Sequence, residues 1–500
     1  MASDIEVRHI DEVYMRVVCD EGIAKELANH FTFTVQGYQY MPAYKFGGWD
    51  GKIRLFNPVN HKLYVGLLTQ LKRFARDNKY TFKQERCFDE VSFSIEETWD
   101  FIKSLGPLKF EPRDYQVEAL CKAIRYKRGI YLSPTASGKS FIIYLLAHYY
   151  PGKTLIICPR INLVTQMYKD FIDYDLSHTV ENHLQMIKGG LTKDVDKRFT
   201  ITTYQSITNQ PANWFNQFEL LVGDEAHGFK ADSLKKIMNN AKKTKYKVGF
   251  TGTLDDSLTN EMVLRGLFSD IHKITTTREL MDAGHISPLR IHCLVLSYPD
   301  EIREKAYKAK NPKKVNGQKV PSQFDYQDEV KFILAYKARN NFIKNLALSL
   351  KGNTLILFTR VEDHGLPLHE AIKAKAGNQP VHLVYGKVED DIREEIRQLI
   401  IQGDQSIILA STGVFSEGVN IPNIDNIIFA NPSKARIKIM QSIGRGLRLS
   451  DGKTHCALYD IADDLSWKKW TNYAMDHYSQ RIDMYIQEKF EYKQYTVGLK

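Results

Sequence analysis

The stretch SPTASGKS, Ser133 to Ser140, nearly spells the phosphate-loop pattern G-x-x-x-x-G-K-[ST], with serine where the first glycine belongs. Such a loop needs a strand in front to hold the turn. It also needs a helix behind, whose unpaired N–H groups and positive dipole end face the phosphates. Both flanks are present: an apolar run at 129–132 and a helical one at 141–150. Ser137 and Gly138 sit where backbone comes close to phosphate, Lys139 is spaced to reach the terminal phosphates, and Ser140 to hold Mg²⁺. A small residue such as Ser133 can enter the turn. A surface turn capping a helix can also contain Gly-Lys-Ser, so the loop needs a second element.

That element is LLVGDEAHGF, Leu220 to Phe229, in which an apolar strand ends in two adjacent carboxylates followed by a histidine. At a strand end Asp224 can face Mg²⁺ while Glu225 takes a proton from an attacking water. Adjacent acids often mark only a solvated turn, but acids ending a buried strand downstream of a phosphate loop point to an ATP hydrolase that uses Mg²⁺. The candidate catalytic set here is Lys139, Asp224, Glu225 and His227, with Ser140 and Asp224 as metal ligands.

Further out, the runs GIYLS, TLIICP, FTITTY, LLVGDE and YKVGFTGT are each the length of a buried parallel strand, and helical stretches separate several of them. A second series, TLILFT, VHLVYG, SIILAS, NIIFAN and ALYDIA, spans 354–462. The predicted fold is α/β: two tandem parallel-sheet domains behind a small α+β N-terminal domain. The expected boundaries are an N-terminal domain at 1–105, a first motor domain at 106–285, a linker or insertion at 286–340, and a second motor domain at 341–500. The lysine-rich run at 305–319 reads as a mobile connection. The run at 465–490 reads as helices on the second sheet. YKFGGWDGKIRLF, Tyr44 to Phe56, reads as a hairpin turning at Asp50-Gly51.

Composition narrows the class. Hydrophobic residues make up 43% and charged residues 26%, ordinary values for a globular protein, and the net charge of +10 suits a polyanionic partner as well as a mildly basic enzyme. Six cysteines without a C-x-x-C predict neither a zinc site nor a disulfide framework, and with a charged N-terminus they indicate a cytoplasmic protein. No apolar run approaches membrane-spanning length, so no membrane partner is expected. Near residue 441, QSIGRGLR sets Arg445 and Arg448 three apart on one helix face, a pairing suited to a transferring phosphoryl group. Hydrolysis would then be tied to motion between the two motor domains.

In order and spelling these motifs resemble the superfamily-two helicases and translocases over about residues 110–465, which implies that the two tandem parallel-sheet domains are RecA-like. EPRDYQ resembles the Gln-containing motif and implies nucleotide contact by Arg113 and Gln116. SPTASGKS resembles motif I, which in this superfamily often lacks the leading glycine, though Ala136 replaces the glycine usual at the fourth place. DEAH is motif II and GFTGTL resembles motif III. STGVFSEGVNIP resembles motif V, implying that Gly418 and Asn420 contact nucleotide, and QSIGRGLR resembles motif VI, adding Gln441 to the catalytic set. The same resemblance implies DNA-backbone contacts at Pro159, Arg160, Thr203, Gln205, Thr359, Arg360 and Thr412. Over its whole length the chain further resembles the recombination and fork-processing helicases of bacteriophages. That implies 3′–5′ movement on single- and double-stranded DNA, with junctions, forks and R-loops (RNA–DNA hybrids) as substrates. It also implies a monomer acting in the cytoplasm of an infected bacterium. The motifs themselves do not distinguish DNA from RNA, and an RNA-directed motor or an ATP-regulated annealing protein stays open at this point. In the N-terminal region Tyr38, Tyr40, Tyr44, Phe46 and Trp49 alternate with Lys45, Lys52 and Arg54, a pattern that suits either a base-stacking platform or a small core.

Overall fold

The computed structural model describes residues 3–189, 193–254, 257–310, 324–388, 392, 395–396, 398–400, 403, 405–416, 423–432, 443–444, 447 and 453–500, with the side chains of 415 and 416 excepted. It forms two compact units, 1–275 and 276–500.

The first unit is built on a seven-stranded sheet in the order Leu184–Ile187, Phe199–Thr203, Lys153–Cys158, Phe218–Asp224, Tyr246–Thr251, Arg128–Leu132, Ile271–Lys273. Every neighbouring pair is parallel, so all seven strands end on one edge. The central strands are largely apolar because both faces are covered. Leu155 and Ile157 belong to one buried cluster, while Ile156 and Cys158 belong to the other. Lys139–Tyr149 and Ile161–Tyr174 pack as helices on the second of these faces.

The first face carries the N-terminal module. That module is a five-stranded sheet in the order Phe56–Asn57, Lys62–Tyr64, Tyr14–Val18, Ile5–His9, Phe82–Gln84, with helices Glu21–His30 and Leu68–Asp77. Its interior residues, among them Val7, Met15, Leu27 and Phe31, form one continuous apolar cluster with Phe229 and Phe268, which pack on the seven-stranded sheet at Gly223. Polar ties reinforce this contact. Glu12 accepts Arg128 on its carboxylate at 2.6 Å and receives both Arg128 and Lys247 on its carbonyl oxygen at 2.8 Å.

The stretch 44–56 is not a hairpin. Pro42–Lys45 is a helical turn, and Lys52–Arg54 pairs antiparallel with Thr32–Thr34, well upstream. Gly51 has the positive φ expected, +80°, though outside a hairpin turn, and the position excludes a side chain as well, because a Cβ there would lie 2.3 Å from the Tyr38 ring. The tight hairpin in this region joins Phe56–Asn57 to Lys62–Tyr64.

The second unit is another seven-stranded parallel sheet, in the order Val381–Val384, Ile407–Ser411, Thr354–Phe358, Asn426–Phe429, Cys456–Asp464, Leu289–Ser297, Tyr492–Gly498. All five runs read as strands are strands. Leu289–Ser297, which sequence placed in a linker, pairs along its full length with Cys456–Asp464. The lysine-rich run starts inside a helix, Asp300–Lys310, whose acidic start and basic end suit the helix dipole. The rest of that run, from 311, lies outside the described residues. Tyr473–Gln487 is the expected C-terminal helix, while the edge strand Tyr492–Gly498 that follows it was not foreseen.

Candidate active site

The loop after the strand Arg128–Leu132 turns through two left-handed residues, Ala136 at φ +67° and Gly138 at +77°. Gly138 suits its positive φ, and a Cβ there would sit 2.3 Å from Gln116 Nε2 and displace that side chain from the loop. Ala136 holds a conformation that costs an L-residue roughly 1–2 kcal/mol. Ser133 needs no positive φ, which is why it can replace glycine; it is buried, and its hydroxyl pairs with that of Ser137.

The segment ahead of the sheet grips the same loop. Gln116 Nε2 and Tyr115 Oη both donate to Ser137 O at 2.9 Å, and Arg113 Nη1 donates to Tyr115 Oη at 2.7 Å. Ser140, on the first turn of the following helix, shares a 2.6 Å hydrogen bond with Tyr174 Oη.

Facing the loop is the end of the strand Phe218–Asp224. Lys139 Nζ lies 2.7 Å from Asp224 Oδ1 and 2.7 Å from Glu225 Oε1. Glu225 is held in the left-handed region at φ +51°, a strained backbone of the kind that functional sites retain. Its other oxygen is 3.3 Å from His227 Nδ1, and that nitrogen is 2.9 Å from Thr251 Oγ1 at the end of the next strand. Burial pushes Asp224 up, and the neighbouring Glu225 charge adds to this against the pull of Lys139. For Glu225 burial acts in the same direction, but Lys139 and His227 outweigh it and hold the carboxyl well below the usual range. Burial lowers Lys139, and the two carboxylates more than offset this, so the ammonium stays charged.

These residues fit Mg²⁺ and a nucleotide triphosphate. Asp224 is buried, and its Oδ1 is held by the Lys139 ammonium at 2.7 Å, a cation that Mg²⁺ and phosphate would replace there. Mg²⁺ commonly takes one or two protein oxygens and fills its shell with water and phosphate. Ser140 and Asp224 would be those protein ligands.

The remaining candidates divide by location. Pro159 and Arg160 follow the strand Lys153–Cys158, and Thr203 and Gln205 lie at the end of Phe199–Thr203, all on the edge that carries the loop. Gln205 is exposed, whereas Thr203 is buried with its hydroxyl 3.0 Å from Ser206. In the second unit Thr359, Arg360 and Thr412 also follow strand ends. Thr359 bonds Asn431, Arg360 bonds Gln327 and Thr412 bonds Phe358 O. Gly418, Asn420, Gln441, Arg445 and Arg448 lie outside the described residues. Sequence reasoning placed Tyr115 in EPRDYQ and Thr251 in GFTGTL without a role of their own, and singled out Tyr174 nowhere. Thr251 was legible as the last residue of a strand beside the acidic one; Tyr174 had no local signal.

Residues 4–85 match the family "DNA helicase UvsW, N-terminal", 109–256 match "Type III restriction enzyme, res subunit", and 338–450 match "Helicase conserved C-terminal domain". The ATP-dependent DNA helicase uvsW of Enterobacteria phage T4 is 34% identical over 99% of this chain and 100% of its own length. The DNA 3′-5′ translocase XPB2 of Sulfurisphaera tokodaii is 28% identical over 73% of this chain and 85% of its own. The crystal structure of T4 UvsW aligns with a TM-score of 0.50 at 31% identity, covering 99% of this chain and all of that one. With the phosphate loop and its acidic strand in place on the first of two parallel-sheet units, the chain belongs to the UvsW family of ATP-dependent DNA helicases.

Proposed function

We propose that this helicase remodels branched DNA, moving 3′–5′ as it hydrolyses Mg·ATP at the loop 133–140. The observation that carries the site is Lys139 held 2.7 Å from both Asp224 and Glu225. In this reading Lys139 and the start of its helix bind the terminal phosphates. Glu225, oriented by His227 and Thr251, accepts the proton of the attacking water. Mg²⁺ supplies charge stabilisation at the transferring phosphoryl. Gln116 and Arg113 set the loop against the base end of the nucleotide. From their motifs alone we assign Arg445 and Arg448 to the developing negative charge, Gln441 to the catalytic set, and Gly418 and Asn420 to nucleotide binding.

The DNA backbone is assigned to Pro159, Arg160, Thr203, Gln205, Thr359, Arg360 and Thr412, which read no sequence; the buried Thr203 would act through its backbone. Similarity to the phage protein over the full length, N-terminal module included, supports junctions, forks and R-loops as substrates and the cytoplasm of an infected bacterium as the setting. A monomer suffices for this mechanism. The test compares ATP turnover by wild type and Glu225→Gln with no nucleic acid, single-stranded DNA, single-stranded RNA and a four-way DNA junction. Turnover highest with the junction and lost in the variant is expected. Stimulation greatest with RNA, or equal across all four, would defeat the branched-DNA assignment.

A further inference from the structure

The N-terminal module displays large apolar side chains on one short loop. Tyr40 is 80% exposed, Phe46 88%, Met41 39% and Tyr44 38%. Soluble proteins scatter such residues singly, and a cluster of them marks a surface that something covers. The loop, 35–51, is a built structure. Val35 N donates to Gly51 O at 2.9 Å and closes its base, and Phe46 N and Gly48 N donate back to Pro42 O and Ala43 O at 2.9 Å. Tyr38 meets Tyr44 edge-on with ring centroids 4.6 Å apart, and the Trp49 indole donates to Lys52 O at 2.8 Å. The inner aromatics hold the shape while Tyr40 and Phe46 project.

Charge and position identify the occupant. Lys45, Lys52 and Arg54 face one acid, Asp50, which pairs with Arg54. Two copies of this loop face to face would bring like charges together, whereas a nucleic-acid strand supplies both phosphates for the lysines and flat rings for the aromatics. The loop also leaves the fold on the side that carries the active site. Thr259 Oγ1, near the start of helix Leu258–Leu267, donates to Thr34 O at 3.1 Å. That helix runs from the end of strand Tyr246–Thr251 back towards the start of the parallel strand Ile271–Lys273, so its first turn lies towards the edge that bears Asp224 and Arg160.

We propose that loop 35–51 is a stacking knob for unpaired bases, with Tyr40 and Phe46 as the platforms and Lys45 and Lys52 on the backbone. The proposal rests on the reading of this chain as a DNA motor and adds a contact outside the motor motifs.

The test uses the full chain: wild type, the double variant Tyr40→Ala/Phe46→Ala, and Phe46→Trp. A labelled oligo-dT measures affinity, and ATP turnover without DNA together with thermal unfolding reports the fold. The double variant should bind oligo-dT about tenfold or more weakly, since each stacked base contributes roughly that factor. Its DNA-free turnover and melting should match wild type. Phe46→Trp should keep the affinity and lose tryptophan emission when oligo-dT binds. Unchanged affinity in the double variant with no quenching in Phe46→Trp overturns the knob. So does a change in sedimentation without a change in affinity, which would make the occupant a second copy. Wild type that is not stimulated by DNA would instead remove the motor reading, an outcome separate from either.

Discussion

The tie between the N-terminal module and the motor can be weighed by substituting Glu12. Its carboxylate meets the Arg128 guanidinium at 2.6 Å, with the Arg128 side chain 10% and that of Glu12 26% exposed. Removing one partner of a fully buried pair costs about 3–5 kcal/mol, because the other charge is stranded. Solvent reaches Glu12, so Glu12→Ala should cost about 2–3 kcal/mol. Glu12→Gln keeps an oxygen for Arg128 and loses only the charge; a charge-assisted bond being roughly twice a neutral one, it should cost about 1 kcal/mol. The backbone carbonyl of Glu12 keeps both its donors in either variant. For a unit of this size each kcal/mol lowers the melting temperature by about 2–4 °C, so Glu12→Ala should melt about 4–12 °C earlier. Thermal unfolding would be followed by tryptophan fluorescence, to which Trp214, packed on Phe215 and Phe218, contributes. A double-mutant cycle with Arg128→Met isolates the pair and should give a coupling above about 1 kcal/mol. Melting of Glu12→Ala within about 1 °C of wild type would show that the apolar contact alone seats the module. DNA-free ATP turnover should be unchanged below melting, because Arg128 starts its strand on the edge opposite the active site.

Lys247→Met should be neutral or stabilising, by up to about 1 kcal/mol in urea unfolding. Burial, and then Arg128, push this ammonium well below its ordinary range, and Glu12 O retains Arg128 as a donor; a loss above about 2 kcal/mol would refute this. His364 is buried, and neither of its ring nitrogens has a hydrogen-bond partner among the described residues; burial, then Arg339, bring it down to about 3. The unfolded chain takes up this proton first, so the histidine's contribution is intact above about pH 6.5 and is lost as pH falls from there towards 3. His364→Phe should flatten that loss in the second unit, and an unchanged pH–stability curve would contradict it. Lys139→Ala should lower ATP turnover at least about 100-fold while junction binding, measured by anisotropy, stays near wild type. Loss of junction binding in a folded variant would mean the two sites are not separable.

What was legible in the chain was whatever local pattern dictates. Five strands of each seven-stranded sheet were read from sequence, because a parallel strand covered on both faces is apolar along much of its length, as Leu155–Ile156–Ile157 is; the shorter Leu184–Ile187 and Ile271–Lys273 were not read. Lys139, Asp224 and Glu225 were found because the loop and acid patterns place them at strand ends, and parallel order brings those ends to one edge. Tyr174 was not, because its bond to Ser140 depends on how one helix packs beside another. Leu289–Ser297 was assigned to a linker because it precedes its sheet neighbour Cys456–Asp464 by more than a hundred residues, and strand pairing at that range leaves no trace in local spacing.

The failed hairpin follows the same logic and is instructive about function. Asp50-Gly51 carries the turn signal, and Gly51 does take a positive φ, but glycine is also required there by Tyr38, whose ring fills the space a Cβ would need. A hairpin with an Asp50-Gly51 turn would have paired the segment before it with Lys52–Arg54. Pairing that strand with Thr32–Thr34 instead leaves the intervening residues outside the sheet and directs their aromatics into solvent. A local rule was satisfied at one residue and overridden in the pairing. What the override produces, four exposed apolar side chains on a hydrogen-bonded loop, has a desolvation benefit only when a partner covers it.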